Sequence, residues 1–193
     1  ALLICFFAVV IVGGCSAFGV ISGIIASAPS IEDIDATPTG YLTTVLDNQG
    51  NQTATLVASG SNRKYVTINE IPINLQHAFV AIEDERYYSH NGIDLYGIIR
   101  ATFLGIRNQS LSQGGSTITQ QLIKNNVLGI QPEKTTMERL ERKIKEQSLA
   151  LELEKIASKQ YILEEYLNAI NLGEGTLGVQ TLSLIHISEP TRH

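Results

Sequence analysis

The sequence predicts a mainly α-helical fold with a small β element, preceded by one transmembrane helix. Three observations carry this prediction. Residues 1–28 contain no charged side chain and are mostly apolar. From Asn74 onward, apolar residues recur at steps of three and four, which is the period of amphipathic helices. Between these regions, two short runs flank a turn-forming sequence, as in a β-hairpin.

The apolar segment is long enough to cross a bilayer, for which about 20 residues suffice. A cleaved signal peptide is the competing interpretation, although its apolar core is usually only about 7–15 residues long. Val12-Gly13-Gly14-Cys15 resembles a lipoprotein cleavage box, but the apolar run continues beyond Cys15. We therefore expect a single-pass anchor over residues 1–28 and a linker over residues 29–39. Because no basic residues precede the run, we expect the natural N-terminus to be missing.

Composition argues against several classes of function. The 193-residue chain has a formal net charge of −5, which disfavours general nucleic-acid binding. Both cysteines, Cys5 and Cys15, lie in the apolar segment, so the rest of the chain has no disulfide framework and no cysteine-based zinc site. Asp33-Ile34-Asp35 has the form of a metal-binding triplet, but a solvated linker is the simpler interpretation.

The remaining elements are predicted in order along the chain. Strand candidates at residues 41–46 and 53–57 flank a turn at residues 47–51. A helix begins near Asn74, with Leu75, Ala78, Phe79 and Ile82 as its apolar repeat, and Asn91-Gly92 offers a stop at which glycine can take positive φ. Further predicted segments are a helix at 95–106, a flexible loop at 108–115, a charged helix at 137–157 and a last helix at 158–168.

The first polar cluster is Glu83-Asp84-Glu85-Arg86-Tyr87-Tyr88-Ser89-His90-Asn91-Gly92. Glu83 follows an apolar helix face, and a carboxylate in a partly desolvated cleft is suited to act as a general base. A solvated acidic helix end is the alternative, and it is the better interpretation of the three adjacent acids taken alone.

The second cluster is Gly115-Ser116-Thr117-Ile118-Thr119-Gln120-Gln121-Leu122-Ile123-Lys124-Asn125. Thr117 and Gln120 predict a capping box at a helix start. Gln121, Lys124 and Asn125 share one helix face with Thr117. Helix N-terminal amides together with a lysine suit a phosphate, although a capped helix start is a sufficient structural explanation.

The third cluster, Arg142-Lys143-Ile144-Lys145-Glu146, places three cations on one predicted helix. Arg142 can pair with Glu146, Glu138 with Arg142, and Glu141 with Lys145, so a salt-bridged surface helix is the simple interpretation. A fourth cluster at residues 159–168 has apolar residues at core spacing. We expect it to pack in the core, with Asn168 and Asn171 as candidate edges of a cleft.

The four clusters resemble, in order, motifs of the glycosyltransferase domain of class A penicillin-binding proteins, glycosyltransferase family 51. The family pattern Glu-Asp-x-x-Phe-x-x-His-x-Gly-x-Asp matches residues 83–94 except for Tyr87 in the Phe position. Gly-x-Ser-Thr-x-Thr-Gln-Gln-x-x-Lys-Asn matches residues 114–125, and Arg-Lys-x-x-Glu matches residues 142–146. The resemblance covers roughly residues 66–181. It implies a lysozyme-like, two-lobed helical domain with a cleft between the lobes.

The resemblance also implies roles for individual residues. Glu83 is the catalytic base and Glu146 the second catalytic carboxylate, whereas His90 is a structural hydrogen-bonding residue. The residues implied in substrate binding are Asp84, Ser116, Gln120, Gln121, Lys124, Asn125, Arg142 and Lys143.

The activity implied by the resemblance is polymerisation of lipid II into glycan strands, with inversion and release of undecaprenyl pyrophosphate. The implied partners are lipid II, the growing lipid-linked strand and the bacterial cell membrane, with the catalytic domain on its extracytoplasmic face. A divalent cation, Mg²⁺ or Mn²⁺, is compatible with this chemistry, but the sequence shows no dedicated ligands. A lysozyme-like hydrolase and an inactive membrane-anchored interaction module are the alternatives; a hydrolase has no pyrophosphate for the cationic motifs to hold.

The C-terminal segment has a different character. Residues 182–192 resemble the translation of a transposase adapter used in sequencing libraries. We expect the glycosyltransferase domain to occupy residues 40–181 without its last part, and residues 182–193 to be foreign to the fold. In class A members, a serine transpeptidase domain is expected to follow.

Overall fold

The computed structural model describes residues 2–30, 43–56, 63–108, 114–129, 134–173 and 177–181. Within these ranges the fold is mainly helical, as predicted, with a small two-stranded sheet. Short 3₁₀ turns lie at Ile68–Glu70 and Tyr87–Ser89, and a π-helical turn lies at Ile123–Leu128. The helices and strands are α1 (Leu2–Ala26), β1 (Thr43–Leu46), β2 (Gln52–Leu56), α2 (Ile73–Glu83), α3 (Leu95–Asn108), α4 (Ile118–Leu122), α5 (Thr136–Ile156) and α6 (Lys159–Ala169). The linker and the C-terminal segment expected to be foreign lie outside the described residues, except for residues 29 and 30.

Helix α1 has the length and composition of a membrane-spanning helix. Leu3–Ala26 comprises 24 residues with a mean hydropathy of 2.5, and none of its most apolar stretch is buried within the protein. It is the one helix of this kind in the described part of the chain. An N-terminal apolar helix was predicted from the absence of charge, and the structure confirms it.

The predicted hairpin is also present. β1 pairs with β2 in antiparallel register, with Thr43 opposite Leu56 and a bulge between Val45 and Leu46. The Asp47 carboxylate accepts hydrogen bonds from the backbone N–H groups of Gln49 and Asn51, each at 2.8 Å. Hydrogen bonds from Asn51, and then from Gln49, lower the pKa of Asp47. The turn therefore closes around an ionised side chain, as the Asp-Asn-Gln-Gly-Asn sequence indicates.

The hydrophobic core lies where α4 packs against α5 and α6. Four of the five residues of α4 are buried, so this short helix is held from several sides rather than by its own length. The core side chains are Val66, Ile71, Val80, Tyr87, Ile118, Leu122, Ile123, Leu149, Leu153, Ile162, Leu163, Tyr166, Leu167, Ala169 and Val179. The start of α4 is thus fixed next to the polar residues that precede and follow it.

Helix α2 forms where the apolar repeat predicts it, but its buried face is different. Ile82 is 80% exposed, and the buried residues are Gln76 and Val80. The Gln76 side-chain amide donates to the carbonyls of Ile68 at 2.9 Å and Ile71 at 2.8 Å. A polar side chain therefore ties α2 to the preceding turn, because those carbonyls need a donor once they are buried.

The predicted stop of α2 at Asn91-Gly92 is wrong, since the helix ends at Glu83. Asp84 leaves the helix with φ of −158°, and its carboxylate accepts from the backbone N–H of Ile118 at 3.0 Å. Gly92 does take positive φ, at 87°, but for another purpose. A Cβ atom there would lie 2.6 Å from the carbonyl oxygen of Ala150. The glycine allows the chain to pass directly against α5.

Helix α3 carries an apolar face that no described residue covers. Leu95, Tyr96, Ile99 and Phe103 are each more than 60% exposed and recur at helical spacing. Together with Ile82, they give this side of the domain an apolar surface.

Candidate active site

A cleft of about 430 Å³ opens between the end of α2, the α4 region and α5. It brings together residues that lie far apart in the sequence. Nine of the ten predicted site residues line it, along with Ile82 and Gly114: Glu83, Ser116, Gln120, Gln121, Lys124, Asn125, Arg142, Lys143 and Glu146. The tenth, Asp84, lines a smaller adjoining pocket instead.

The acidic triplet is divided among three environments. Glu83, the last residue of α2, is exposed to the cleft, where its Oε2 accepts from the Gln121 side-chain amide at 2.9 Å. Glu85 is exposed, and its carboxylate lies 3.9 Å from Arg100. Asp84 is buried between them. The three carboxylates therefore do not form one repelling cluster.

Asp84 joins the end of α2 to the start of α4. Its Oδ2 accepts from the Ile118 N–H at 3.0 Å, and the Nε2 atom of His90 lies 2.9 Å from its Oδ1. The structural hydrogen bond expected of His90 is present. Because these contacts occupy both Asp84 oxygens, they orient the neighbouring Glu83; the substrate contact implied for Asp84 stays a prediction.

The start of α4 has the predicted cap but not the full capping box. Thr117 Oγ1 accepts from the Gln120 N–H at 3.2 Å. The Gln120 side chain, however, does not return to the Thr117 backbone. Its amide donates instead to the Gly92 carbonyl at 3.3 Å, to which the Thr117 hydroxyl also donates at 2.7 Å. The Gly92 carbonyl comes within reach of the Gln120 side chain only in the folded chain, so a local sequence pattern could not predict this hydrogen-bond partner.

After α4 the helix widens into the π-helical turn Ile123–Leu128, which carries Lys124 and Asn125. Such wide turns occur frequently at functional sites. Both side chains line the cleft.

A buried carboxylate organises the cationic side of the cleft. Glu146 is fully buried, and it forms ion pairs with Arg142 through Oε1 and with Lys143 through Oε2, the latter at 2.7 Å. Lys143 also donates to the Ser116 hydroxyl at 2.8 Å.

The predicted Arg142–Glu146 and Glu141–Lys145 pairs are thus present. Glu138 caps its own helix by accepting from the Thr135 backbone N–H at 3.3 Å, and its pair with Arg142 stays a prediction.

A family model described as Transglycosylase matches residues 49–191. The chain belongs to the transglycosylase family. The match covers most of the chain and includes all four clusters. It also runs through most of the adapter-like segment, whose foreign origin stays a prediction.

Curated relatives of this transglycosylase chain are penicillin-binding proteins. Penicillin-binding protein 1A of Clostridium tetani is 37% identical over 172 residues, which are 87% of this chain and 21% of that protein. Penicillin-binding protein 1A of Clostridium perfringens strain 13 is 46% identical over 161 residues, 81% of this chain and 22% of that protein. Penicillin-binding protein 1A/1B of Bacillus subtilis is 38% identical over 177 residues, 92% of this chain and 18% of that protein. The chain spans about a fifth of the length of these relatives.

Sequence reasoning missed a second pocket of the transglycosylase domain, of about 130 Å³, on the other side of Glu83. Arg86 and Arg100 line it. Arg86 donates through Nε to Asp94 at 3.1 Å, and its guanidinium lies 4.2 Å from the centre of the Tyr96 ring. Arg86 belongs to the first cluster, and Asp94 is the last residue of the family pattern that matches residues 83–94. Only the fold brings Tyr96 and Arg100 of α3 next to them.

The expectation that Asn168 forms an edge of the cleft is wrong. Asn168 is buried, and its side chain accepts from the Val66 N–H at 2.9 Å and donates to the Val66 carbonyl at 2.8 Å. It also donates to the Glu164 carbonyl at 2.9 Å. Asn168 thus satisfies both backbone groups of a buried residue, as a paired strand would. Four apolar residues of the fourth cluster pack in the core as predicted: Ile162, Leu163, Tyr166 and Leu167.

The described residues contain no group of three or more His, Cys, Asp or Glu side chains arranged to hold a metal ion. We therefore assign no residue to the divalent cation and derive no step through it.

Proposed function

We propose that this chain carries a peptidoglycan glycosyltransferase that polymerises lipid II into glycan strands, with inversion at the anomeric carbon and release of undecaprenyl pyrophosphate. The observation that best supports this proposal is the composition of one cleft. An accessible carboxylate, Glu83, shares it with three cationic side chains, Lys124, Arg142 and Lys143. A base and an anion-binding surface are what this reaction requires.

In the proposed reaction Glu83 acts as general base. Gln121 holds its Oε2, and Oε1 receives the proton of the acceptor sugar's 4-hydroxyl group. The acceptor oxygen attacks the anomeric carbon of the lipid-linked donor from the face opposite its pyrophosphate. A new glycosidic bond forms as the bond to the pyrophosphate breaks, so the configuration inverts, and the electron pair leaves with the pyrophosphate.

The cationic side of the cleft stabilises that leaving group. Negative charge grows on the pyrophosphate in the transition state, and fixed positive charges lower its energy without having to reorganise. Glu146 neutralises only part of this cluster, because one carboxylate holds both Arg142 and Lys143. Lys124 adds a further positive charge from the π-helical turn.

Two surfaces support placement of this cleft at a membrane. Helix α1 provides a single span, and the exposed face of α3 is apolar. We propose that α1 anchors the chain in the bacterial cell membrane with the catalytic domain on the extracytoplasmic side. A substrate carried on a lipid would then meet the cleft without leaving the bilayer.

The test is glycan-chain assembly from purified lipid II by the full-length protein that contains this chain and by its Glu83→Gln variant. The substitution keeps the shape of the side chain and removes the base, so we expect polymer formation to fall below detection while the melting temperature is retained. Glu85→Gln is the matched control, because it neutralises an adjacent acid outside the cleft lining and should leave the rate within about twofold. Normal assembly by the Glu83→Gln variant would refute the role of Glu83.

The hydrolase alternative predicts a different product. A lysozyme-like enzyme would shorten preformed glycan strands, with water as the acceptor. We expect the chain to leave such strands intact and to release lipid pyrophosphate only when lipid II is supplied. Cleavage of the strands without release of pyrophosphate would favour the hydrolase.

A further inference from the structure

A chain of two side-chain contacts connects the core of the domain to Glu83. Tyr166 lies on α6 and is completely buried. Its hydroxyl donates to Gln121 Oε1 at 3.4 Å, and the amide nitrogen of the same side chain donates to Glu83 Oε2 at 2.9 Å. The first contact is long for an O–H···O hydrogen bond, and the second has the usual length of an N–H···O bond.

These two contacts determine which way the Gln121 amide faces. A side-chain amide has an acceptor end and a donor end, and rotation by about 180° exchanges them. With a hydroxyl donor on one side and a carboxylate on the other, only one orientation satisfies both. If the amide turned over, its oxygen would face the Glu83 carboxylate, and two acceptors would repel each other.

Tyr166 is well suited to hold this orientation. Burial, and to a lesser degree the charge of Glu83, raise the pKa of its hydroxyl, so the group remains protonated and able to donate. The ring is held edge-on against Phe79, with 6.4 Å between the ring centres. Since Phe79 belongs to α2, the same contact joins α6 to the helix that ends at Glu83.

We propose that Tyr166 is a positioning residue for Glu83, acting through the Gln121 amide. The hydroxyl of Tyr166 keeps the amide nitrogen of Gln121 directed at the Glu83 carboxylate, which holds that carboxylate in place. Tyr166 itself does not touch the substrate. The kinetic consequence rests on the proposed function of Glu83, whereas the geometric relationship does not.

The decisive measurement is the titration of Glu83 without substrate, followed by ¹³C-carboxyl NMR of the full chain in detergent micelles. Tyr166→Phe keeps the ring and removes only the hydroxyl. We expect the titration midpoint of Glu83 to rise, because the Gln121 amide nitrogen is no longer held toward the carboxylate as a donor to its charged form. An unchanged midpoint in a folded Tyr166→Phe variant would overturn the proposal.

The matched control is Tyr87→Phe. Tyr87 is also fully buried, and its hydroxyl donates to the Lys159 carbonyl at 2.7 Å, so the control removes a comparable buried hydrogen bond that does not lead to Gln121. We expect it to leave the Glu83 midpoint unchanged. A shift of equal size in both variants would mean that general loosening of the core, and not loss of the Tyr166–Gln121 contact, changes the titration midpoint of Glu83.

A double-mutant comparison tests whether Tyr166 acts through Gln121. Gln121→Met removes the amide, and it should raise the Glu83 midpoint at least as much as Tyr166→Phe. In the Gln121→Met background, Tyr166→Phe should then add no further shift, because coupled residues are not additive. A full additional shift would show that Tyr166 acts by another route. If Tyr166→Phe does not fold, an unchanged midpoint in Gln121→Met alone overturns the proposal.

Kinetics separate failure of this proposal from failure of the proposed function. In polymerisation of lipid II, Tyr166→Phe should lower kcat about three- to tenfold with little change in KM, and it should move the acidic limb of the pH profile to higher pH. If Glu83→Gln stays active, the proposed function fails whatever the midpoints show. If Glu83→Gln is inactive but Tyr166→Phe matches Tyr87→Phe in every readout, only the positioning role fails.

Discussion

The Lys143 ammonium lies 2.7 Å from Oε2 of Glu146, a carboxylate whose side chain is only 1% exposed. Arg142 pairs with the other oxygen from one turn earlier on α5. Both cations remain partly exposed and line the cleft. Glu146 thus acts from beneath the surface and holds two positive charges at fixed positions beside the cleft.

We predict that Glu146→Gln destabilises the domain by about 1.5–3 kcal/mol, because it removes charge-assisted hydrogen bonds from two cations. Turnover of pyrophosphate-linked donors should fall at least about tenfold, since Arg142 and Lys143 lose their fixed positions. Denaturant unfolding and lipid II polymerisation measure the two effects. Glu141→Gln is the control, because its pair with Lys145 is on the same helix but exposed and should contribute less than about 0.5 kcal/mol. Equal losses in both variants would contradict the prediction.

Lys124→Ala should reduce kcat/KM for the pyrophosphate-linked donor by at least about tenfold. The loss of one charge-assisted contact is worth about 1.5–3 kcal/mol, and each 1.4 kcal/mol changes a rate about tenfold. Lys155→Ala, an exposed lysine in the last turn of α5, serves as the control for net charge. Unchanged kinetics in a folded Lys124→Ala variant would mean that Lys124 does not contact the leaving group.

Gly92→Ala should destabilise the protein by about 2–4 kcal/mol. The residue would have to keep φ of 87°, and its new Cβ would lie 2.6 Å from the Ala150 carbonyl oxygen. Gly50→Ala separates these causes, since Gly50 has φ of 84° but open space around its Cβ position. Its cost should be about 1 kcal/mol. Similar unfolding free energies for the two variants would show that the close approach to α5 contributes nothing.

Asn168→Asp is expected to cost at least about 2 kcal/mol. The new carboxylate can still accept from the Val66 N–H, but it places an acceptor against the carbonyls of Val66 and Glu164 and leaves both without their donor. Asn171→Asp is the exposed counterpart, whose acceptor contact with the Gly173 N–H is preserved. Thermal unfolding at neutral pH compares the stability of the two variants. An Asn168→Asp variant as stable as the unchanged protein would refute the stabilising role of the hydrogen bonds between Asn168 and the Val66 backbone.

Sequence reasoning predicted those features that depend on local chemistry. Thr117 caps a helix, and Asp47 closes the hairpin turn, because both side chains bond to backbone only a few residues away. The cleft residues were also predicted, but by resemblance to a family pattern. Local physics alone favoured a solvated acidic end for the first cluster and a salt-bridged surface for the third.

The features that sequence reasoning missed depend on contacts between distant segments. Glu83 ends α2 because Asp84 bonds to Ile118, a residue that periodicity within α2 cannot indicate. Asn168 was placed at the cleft because it is polar, whereas its partner is the buried backbone of Val66. Tyr166 had the spacing of a core residue and is one, so nothing in the sequence revealed that its hydroxyl reaches Gln121.

The wide turn at Ile123–Leu128 makes the length of this segment as important as its composition. A π-helical turn accommodates extra chain that an α-helix of the same span would not. Deleting a single residue there would let the segment relax to the ordinary α-helical repeat, in which consecutive residues are about 100° apart around the helix axis, so the residues of the turn would change face. Lys124 or Asn125 would then face away from the cleft with every motif residue still present in the sequence. In this part of the domain, a change of one residue in length is therefore more damaging than most substitutions.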